Sequence, residues 1–371
     1  MKEILEITTL MGKECLTTRS LWEQVFSEDS KKFLDYYYTW KAEENIGYVI
    51  GEEPYKAMMF RTPYEIQIGD RKRKLSYLVA VATGKEFRHK GYMTALLQKA
   101  FACMYQEKNP FTFLMPADPA IYQPFDFSFI YERQLWTLDG EWIEALESLW
   151  IGENTEAEER ELQAAEYTVS SYDLLKHWEE KTGCSLRSLK NGYTGKGQLE
   201  VISKIADFAN CWLSEKYEIY AVRSEKYYRR QLQELISQNG DIFVAEKNGE
   251  IEGILLYGRE EEDLNLQEVM ERRAGLFSFL DSVEEKKPVI MARIIHLEEM
   301  LKMVKSKERK TVLLEVEDAL LPQNDGIYRV EMTPQGSTVT KLKEYREAER
   351  FYHIRDLAPQ LLKNVFLNEI V

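Results

Sequence analysis

The chain has 371 residues, 44% of them hydrophobic, with 49 Lys and Arg against 63 Asp and Glu, a net charge of −14. That length predicts two or three domains with sizeable cores. The acidity excludes indiscriminate binding to nucleic acid or anionic membrane, because the mean field repels phosphate.

In chain order, the stretch from Leu21 to about Glu44 has helical spacing and is rich in aromatics, with Phe33, Tyr36, Tyr37 and Trp40. Core packing is the simpler reading of it, and a channel wall the alternative. Short strands follow at Tyr48–Ile50, Ala57–Arg61 and Tyr64–Ile68, punctuated by Gly and Pro, then a longer apolar strand at Leu75–Thr83. Gly91–Gln106 is an amphipathic helix with Met93, Leu96, Leu97, Ala100 and Met104 on one face. Phe111–Met115 is a buried strand closed by Pro116, and Phe127–Leu138 completes a mixed, twisted sheet.

Residues 152–166 are acidic and poor in bulky apolar groups, which predicts a linker or an exposed helix. A second unit has helices at Leu199–Tyr217 and Lys226–Ser237 and a hairpin over Asp241–Tyr257 that turns at Asn248-Gly249. A third begins near Lys287. It has a strand at Val289–Ile295, a helix at Leu297–Val304, and strands near Thr311–Val316, Gly326–Met332 and Ser337–Leu342. A helix from Asp356 and the apolar tail Phe366–Val371 follow. The basic run Lys302–Lys310 reads as a solvated face.

Cys15, Cys103, Cys184 and Cys211 form no CxxC pair and no zinc spacing, which fits a reducing cytoplasm. The opening Met-Lys-Glu-Ile-Leu-Glu lacks the apolar core of a signal peptide, and no run approaches the ~18 apolar residues of a membrane span. His177, His296 and His353 are isolated and without metal-ligand spacing, so each is read as structural and no metal is expected.

Chemistry concentrates between Leu78 and Met93, Leu-Val-Ala-Val-Ala-Thr-Gly-Lys-Glu-Phe-Arg-His-Lys-Gly-Tyr-Met. An apolar strand ends, a cationic loop follows and a helix begins at a glycine. The unpaired N–H groups of a helix start, with the helix dipole, favour an anion there. Arg88, His89 and Lys90 add positive charge, and a pyrophosphate is the anion this build suits. Arg88-x-x-Gly91 alone is weak, since a solvated basic loop gives the same pattern. Arg272-x-x-Gly275 repeats the spacing after a polar stretch and is read as chance.

The segment resembles motif A of the GNAT acetyltransferases, Arg/Gln-x-x-Gly-x-Gly/Ala. Arg88 and Gly91 match, and Met93 replaces the last small residue. Together with Pro110-Phe-Thr-Phe-Leu-Met-Pro-Ala-Asp-Pro-Ala-Ile-Tyr-Gln-Pro-Phe-Asp-Phe127, it resembles the Eis-type (enhanced intracellular survival) branch of that family. The resemblance implies an α+β chain of tandem GNAT folds, each a mixed sheet flanked by helices, with a C-terminal α/β domain like sterol carrier protein. The expected bounds are 1–150, 151–286 (a degenerate GNAT-like domain) and 287–371. It also implies acetyl-CoA as co-substrate, with Val81 and Thr83 offering main-chain groups to the pantetheine arm. Arg88, His89, Lys90, Gly91, Tyr92 and Met93 would lie about the pyrophosphate. Family members form hexamers, so a homo-oligomer is expected.

Acetyl transfer to an amine needs a positioned thioester, a deprotonated nucleophile and a proton for the departing thiolate. Tyr122 matches the tyrosine that the family uses as general acid. The family's base is the terminal carboxylate, here that of Val371 on its apolar tail. The function expected from the resemblance is cytoplasmic N-acetylation of a cationic amine, in an aminoglycoside-like molecule, a polyamine or a lysine. Neither nucleic acid nor membrane is an expected partner. The alternative is a CoA-sensing or lipid-binding module without catalysis.

Overall fold

Runs of Val, Ile, Phe and Tyr dominate the first third of the chain and form strands, because branched and aromatic side chains pack well on a pleated, half-buried surface. The computed structural model describes residues 5–149, 169–260, 263–342 and 348–369. Among them the chain gathers into two compact units: Met1–Glu132 with Tyr217–Val222 and Pro288–Val371, and Arg133–Lys216 with Arg223–Lys287.

The first unit opens with β1 (Ile7–Met11), α1 (Arg19–Val25), α2 (Lys31–Trp40), β2 (Ile46–Ile50), β3 (Ala57–Ile68) and β4 (Arg71–Thr83). It continues with α3 (Tyr92–Gln106), β5 (Phe111–Leu114), α4 (Pro119–Tyr122) and β6 (Ser128–Leu138), along which the chain enters the second unit. The helical stretch expected over Leu21–Glu44 is broken, because Ser30 caps α2 by accepting the Phe33 N–H at 3.1 Å. The two strands expected at Ala57–Arg61 and Tyr64–Ile68 are one. Pro63 is tolerated because β2 pairs only as far as Arg61 and the next strand on that side starts opposite Ile66.

The second unit contains α5 (Gly140–Ser148), α6 (Val169–Thr182), β7 (Ser185–Ser188) and α7 (Gly195–Lys216). After β8 (Ile219–Ala221), a strand of the first unit, come α8 (Glu225–Ser237), β9 (Asp241–Lys247), β10 (Glu250–Glu260) and β11 (Asp263–Glu271). Its sheet runs β11-β10-β9-β7. The expected hairpin turns at Asn248 and Gly249, with φ of 52° and 82°, the left-handed pair that a two-residue hairpin loop requires. Residues 152–166 lie outside the described residues. Arg272 follows the strand β11 rather than the polar helix-like stretch expected. No helix begins at Gly275, and its N–H is already bound to Glu271 at 3.0 Å, so the repeat of the cradle spacing is a turn.

The chain returns along β12 (Leu280–Ile294), longer than the expected strand at Val289–Ile295. Then come α9 (Leu297–Leu301), β13 (Lys310–Glu317), β14 (Gly326–Thr333), β15 (Gly336–Lys341), β16 (Arg350–His353), α10 (Ile354–Leu361) and β17 (Val365–Phe366). β13 to β16 form a sheet of order β15-β14-β13-β16, with β13 and β16 parallel. The region from 287 therefore has a sheet of its own, but it also joins the first unit. Met291–Ile294 of β12 pairs antiparallel with Phe111–Leu114 of β5. The resulting nine-stranded sheet has the order β1-β2-β3-β4-β5-β12-β6, with β8 beside β3 and β17 beside β8.

Two cores cover this sheet. The buried stripe of α3, Leu96, Leu97, Ala100, Phe101 and Met104, packs on Tyr48, Met59, Leu78 and Leu114. Trp22, Phe33, Tyr37 and Phe60 form an aromatic core on the other side, with the Trp22 and Tyr37 rings 4.5 Å apart. Core packing is thus the role of the α2 aromatics, Trp40 excepted, which is 43% exposed. Among the described residues no helix is long and apolar enough to cross a membrane.

Candidate active site

A bulge in β4 opens the site. Met58 pairs with Ala82 and Phe60 with Val79, so Met59 faces two residues, and Ala80 takes φ 54° to fit the extra one. β4 and β5 run parallel but pair only at Tyr77 and Phe113. Past that point the strands part, and the Tyr77 hydroxyl accepts the Met115 N–H at 3.2 Å where a ladder bond would otherwise lie. The β5-facing edge of β4 beyond Tyr77 is therefore open. A cavity of about 740 Å³ occupies the split, the size of a small-molecule site.

Val81, Thr83, Arg88, His89, Gly91, Tyr92, Met93 and Tyr122 all line this cavity. Lys90 is not among the lining residues; its ammonium lies 5.3 Å over the Phe87 ring, with that of Lys56 at 5.7 Å from the same ring. Gly91 caps α3 at φ 83°, and His89 also has positive φ, 60°. A Cβ on Gly91 would meet nothing within 4 Å, so the loop stands in open space. The first intrahelical bond runs from the Ala95 N–H to the Gly91 carbonyl at 3.0 Å. The N–H groups of Tyr92, Met93 and Thr94 precede it and have no protein acceptor among the described residues. Arg88 is exposed and spends only Nε on the protein, donating to the Thr83 carbonyl at 3.4 Å. Turn residues of this kind in front of a helix make an anion-binding concavity.

Tyr122 ends a short helix that its sequence dictates. Asp118 caps it by accepting the Ala120 N–H at 2.9 Å, Pro119 fixes its first turn, and Pro124 is the second residue of a 3₁₀ turn, Gln123–Phe125, that stops at Asp126 in the left-handed region, φ 63°. The Tyr122 ring meets Phe127 edge-on at 5.9 Å. Its hydroxyl has no protein hydrogen-bond partner among the described residues, and burial pushes its pKa up to about 12. A phenol so held keeps its proton at any physiological pH.

Sequence reasoning missed part of the lining. Trp22, Val25, Phe26, Glu28 and Asp29, from α1 and the corner after it, also face the cavity. The Trp22 indole donates to Asp29 at 2.6 Å, and burial raises the Asp29 carboxyl above the usual range, with that bond partly opposing. Local sequence gives no signal for these residues, since packing of α1 against β4 brings them there. Val371 lies outside the described residues; the tail leading to it is buried from Phe366 to Glu369.

None of the other three histidines lines this cavity. His177 is exposed. His296 caps α9 and stacks on Tyr105 at 4.4 Å, and His353 pairs with Glu317 at 3.1 Å. Among the described residues no group of His, Cys, Asp and Glu could hold a metal ion.

The profile of an acetyltransferase (GNAT) domain matches residues 6–130. No curated protein sequence matches the chain. Among solved structures, a probable N-acyltransferase of Enterococcus faecalis V583 is similar at TM-score 0.71 and 15% identity, over 97% of this chain and 90% of that one. A GCN5-related N-acetyltransferase of Anabaena variabilis aligns at TM-score 0.68 and 14% identity, over 95% and 89%. Eis1 of Mycobacterium abscessus aligns at 0.61 and 10%, over 97% and 89%. At these identities the likeness is one of fold. Residues 6–130, which hold the bulged strand, the cradle and Tyr122, therefore carry an acetyltransferase domain of the GNAT type, and the chain is an acyltransferase.

Proposed function

We propose that the chain is an Eis-type N-acetyltransferase that moves an acetyl group from acetyl-CoA to an amine of a cationic acceptor, an aminoglycoside-like molecule, a polyamine or a lysine. One observation carries the reading: a single cavity is lined by the helix start at Gly91, a half-buried phenol with no hydrogen-bond partner among the described residues, and two carboxylates. When bound, acetyl-CoA supplies an activated acyl carbonyl. Three unpaired N–H groups, the free guanidinium donors of Arg88 and the open space over Gly91 fit its diphosphate. The unpaired edge of β4 at Val81 and Thr83 suits an amide-bearing arm. Tyr122 holds a proton at its phenol oxygen for the leaving sulfur. Glu28 and Asp29 attract and orient an ammonium. The Val371 carboxylate takes the family's role of base, supported by the burial of Phe366–Glu369.

For the rest of the chain, the four-stranded sheet and helices of the second unit support a degenerate GNAT-like fold, and the β13–β16 sheet with α9 and α10 supports a sterol-carrier-like one. The test is free-thiol release from acetyl-CoA in the presence of spermidine, kanamycin or a lysine peptide. At least one amine is expected to stimulate release. Tight CoA binding by calorimetry with no stimulation by any amine refutes the reading.

A further inference from the structure

Beyond its Asp118 cap and its packing on the core, the segment carrying Tyr122 is short. It is one turn of α4 followed by one 3₁₀ turn, and Ile121, beside the tyrosine, is 45% exposed. Its fixed point comes from far along the chain. Arg293, on β12, has a side chain with 0% exposure. Its Nε donates to the Phe125 carbonyl at 2.9 Å and Nη1 to the Ile294 carbonyl at 2.8 Å. Nη2 donates to Asp318 at 2.6 Å and lies 3.7 Å from Asp126, while the guanidinium sits 4.7 Å over the Phe101 ring.

Asp318 is fixed in turn. It accepts the Leu320 and Leu321 N–H groups at 3.1 and 2.9 Å and the Asn324 amide at 2.9 Å. Asn324 also ties down the Ile295 carbonyl and the Leu297 N–H, at 2.9 and 3.0 Å. The network thus runs from the turn after β13 through Arg293 to Phe125 and Asp126, at the end of the 3₁₀ turn that follows the phenol. A buried ion pair is weak evidence of stabilisation, because desolvation offsets the Coulomb gain. Arg293–Asp318 would be complete without the bond to Phe125, and a single guanidinium fork is what joins the two ends.

We propose that Arg293, backed by Asp318, is a positioning residue that sets the Tyr122 hydroxyl in the cavity by clamping Phe125 and Asp126. The inference rests on the reading of Tyr122 as proton donor, and it places part of the active site outside residues 6–130. Lysine can still pair with Asp318 but cannot fork to Phe125, so Arg293→Lys separates clamp from charge.

The test uses the full chain in two arms. In the first, hydrogen exchange of residues 119–126 should accelerate in Arg293→Lys while the α3 amides stay protected. In the second, with acetyl-CoA and whichever of spermidine and kanamycin supports turnover, kcat should fall about tenfold to a hundredfold with the KM for acetyl-CoA unchanged, as a misplacement near 1 Å gives. Arg293→Lys combined with Tyr122→Phe should be no slower than Tyr122→Phe alone. Native exchange and wild-type kcat overturn the proposal, and so do losses that multiply in the double variant. If Arg293→Lys does not fold, Asp126→Asn replaces it. Asparagine keeps the left-handed conformation but removes the charge facing Nη2; accelerated exchange supports the clamp and native exchange with full kcat overturns it. If the wild type acetylates neither of these amines nor a lysine peptide, the proposed acceptor class fails while the exchange arm still decides on the clamp.

Discussion

Tyr122→Phe removes one oxygen and little else. The hydroxyl has no protein partner among the described residues and the ring keeps its edge-on contact with Phe127, so stability should change by less than about 0.5 kcal/mol. With its pKa pushed up to about 12, the phenol keeps its proton throughout the working range. A positioned acid contributes about 10²- to 10⁴-fold. The lower end is expected here, because a thiolate is a good enough leaving group to depart in part unaided. The expected loss is thus about a hundredfold in kcat, or about 2.7 kcal/mol, with the KM for acetyl-CoA within twofold of wild type. Steady-state thiol release between pH 7 and 9.5 measures it, and the deficit should persist to the alkaline end because Tyr122 does not ionise there. A kcat within about threefold of wild type refutes the assignment. A raised KM for acetyl-CoA at normal kcat would instead make Tyr122 part of the binding wall.

Arg88→Ala should weaken CoA about tenfold to a hundredfold in titration calorimetry, the worth of a charge-assisted hydrogen bond, without affecting melting. Gly91→Ala should cost about 1–2 kcal/mol through the left-handed backbone alone, since a Cβ there meets no neighbour within 4 Å; a fall of a few degrees in Tm, absent in Gly91→Asn, checks it. Asp241 is buried, and desolvation raises it to about 6 against bonds from Ser188, Lys190 and Ile242. The folded state therefore holds a proton that the unfolded state releases, and stability falls as pH rises from about 4 to 6. Urea unfolding should show the wild-type advantage over Asp241→Asn shrinking by roughly 3 kcal/mol across that window.

The candidate cradle's backbone was legible because it is contiguous: strand, cationic loop and helix start lie within Leu78–Met93, and each local preference agrees with the fold. Tyr122 was legible for the same reason, through Asp118, Pro119 and Pro124. The bulge at Ala80 was not, since alanine carries no signature of positive φ. Nor was the inward face of α1, because Trp22 and Asp29 reach the cavity only through packing. Charge alone does not report where a side chain rests: the Lys90 ammonium lies over the ring of Phe87, itself a lining residue, while Lys90 is not one. The insertion of β12 beside β5 joins residues more than 170 positions apart, and no local pattern reports such a pairing.

That pairing has a consequence for biosynthesis. While the ribosome has delivered only the first 150 residues, β5 lacks its neighbour, and an unpaired edge of Phe111–Leu114 invites aggregation. At about 5–20 residues per second the nascent chain waits roughly ten seconds or more for residues 288–294 to emerge. The catalytic half is thus begun first and closed among the last, and a chaperone that shields this edge should raise the soluble yield more than one acting after release.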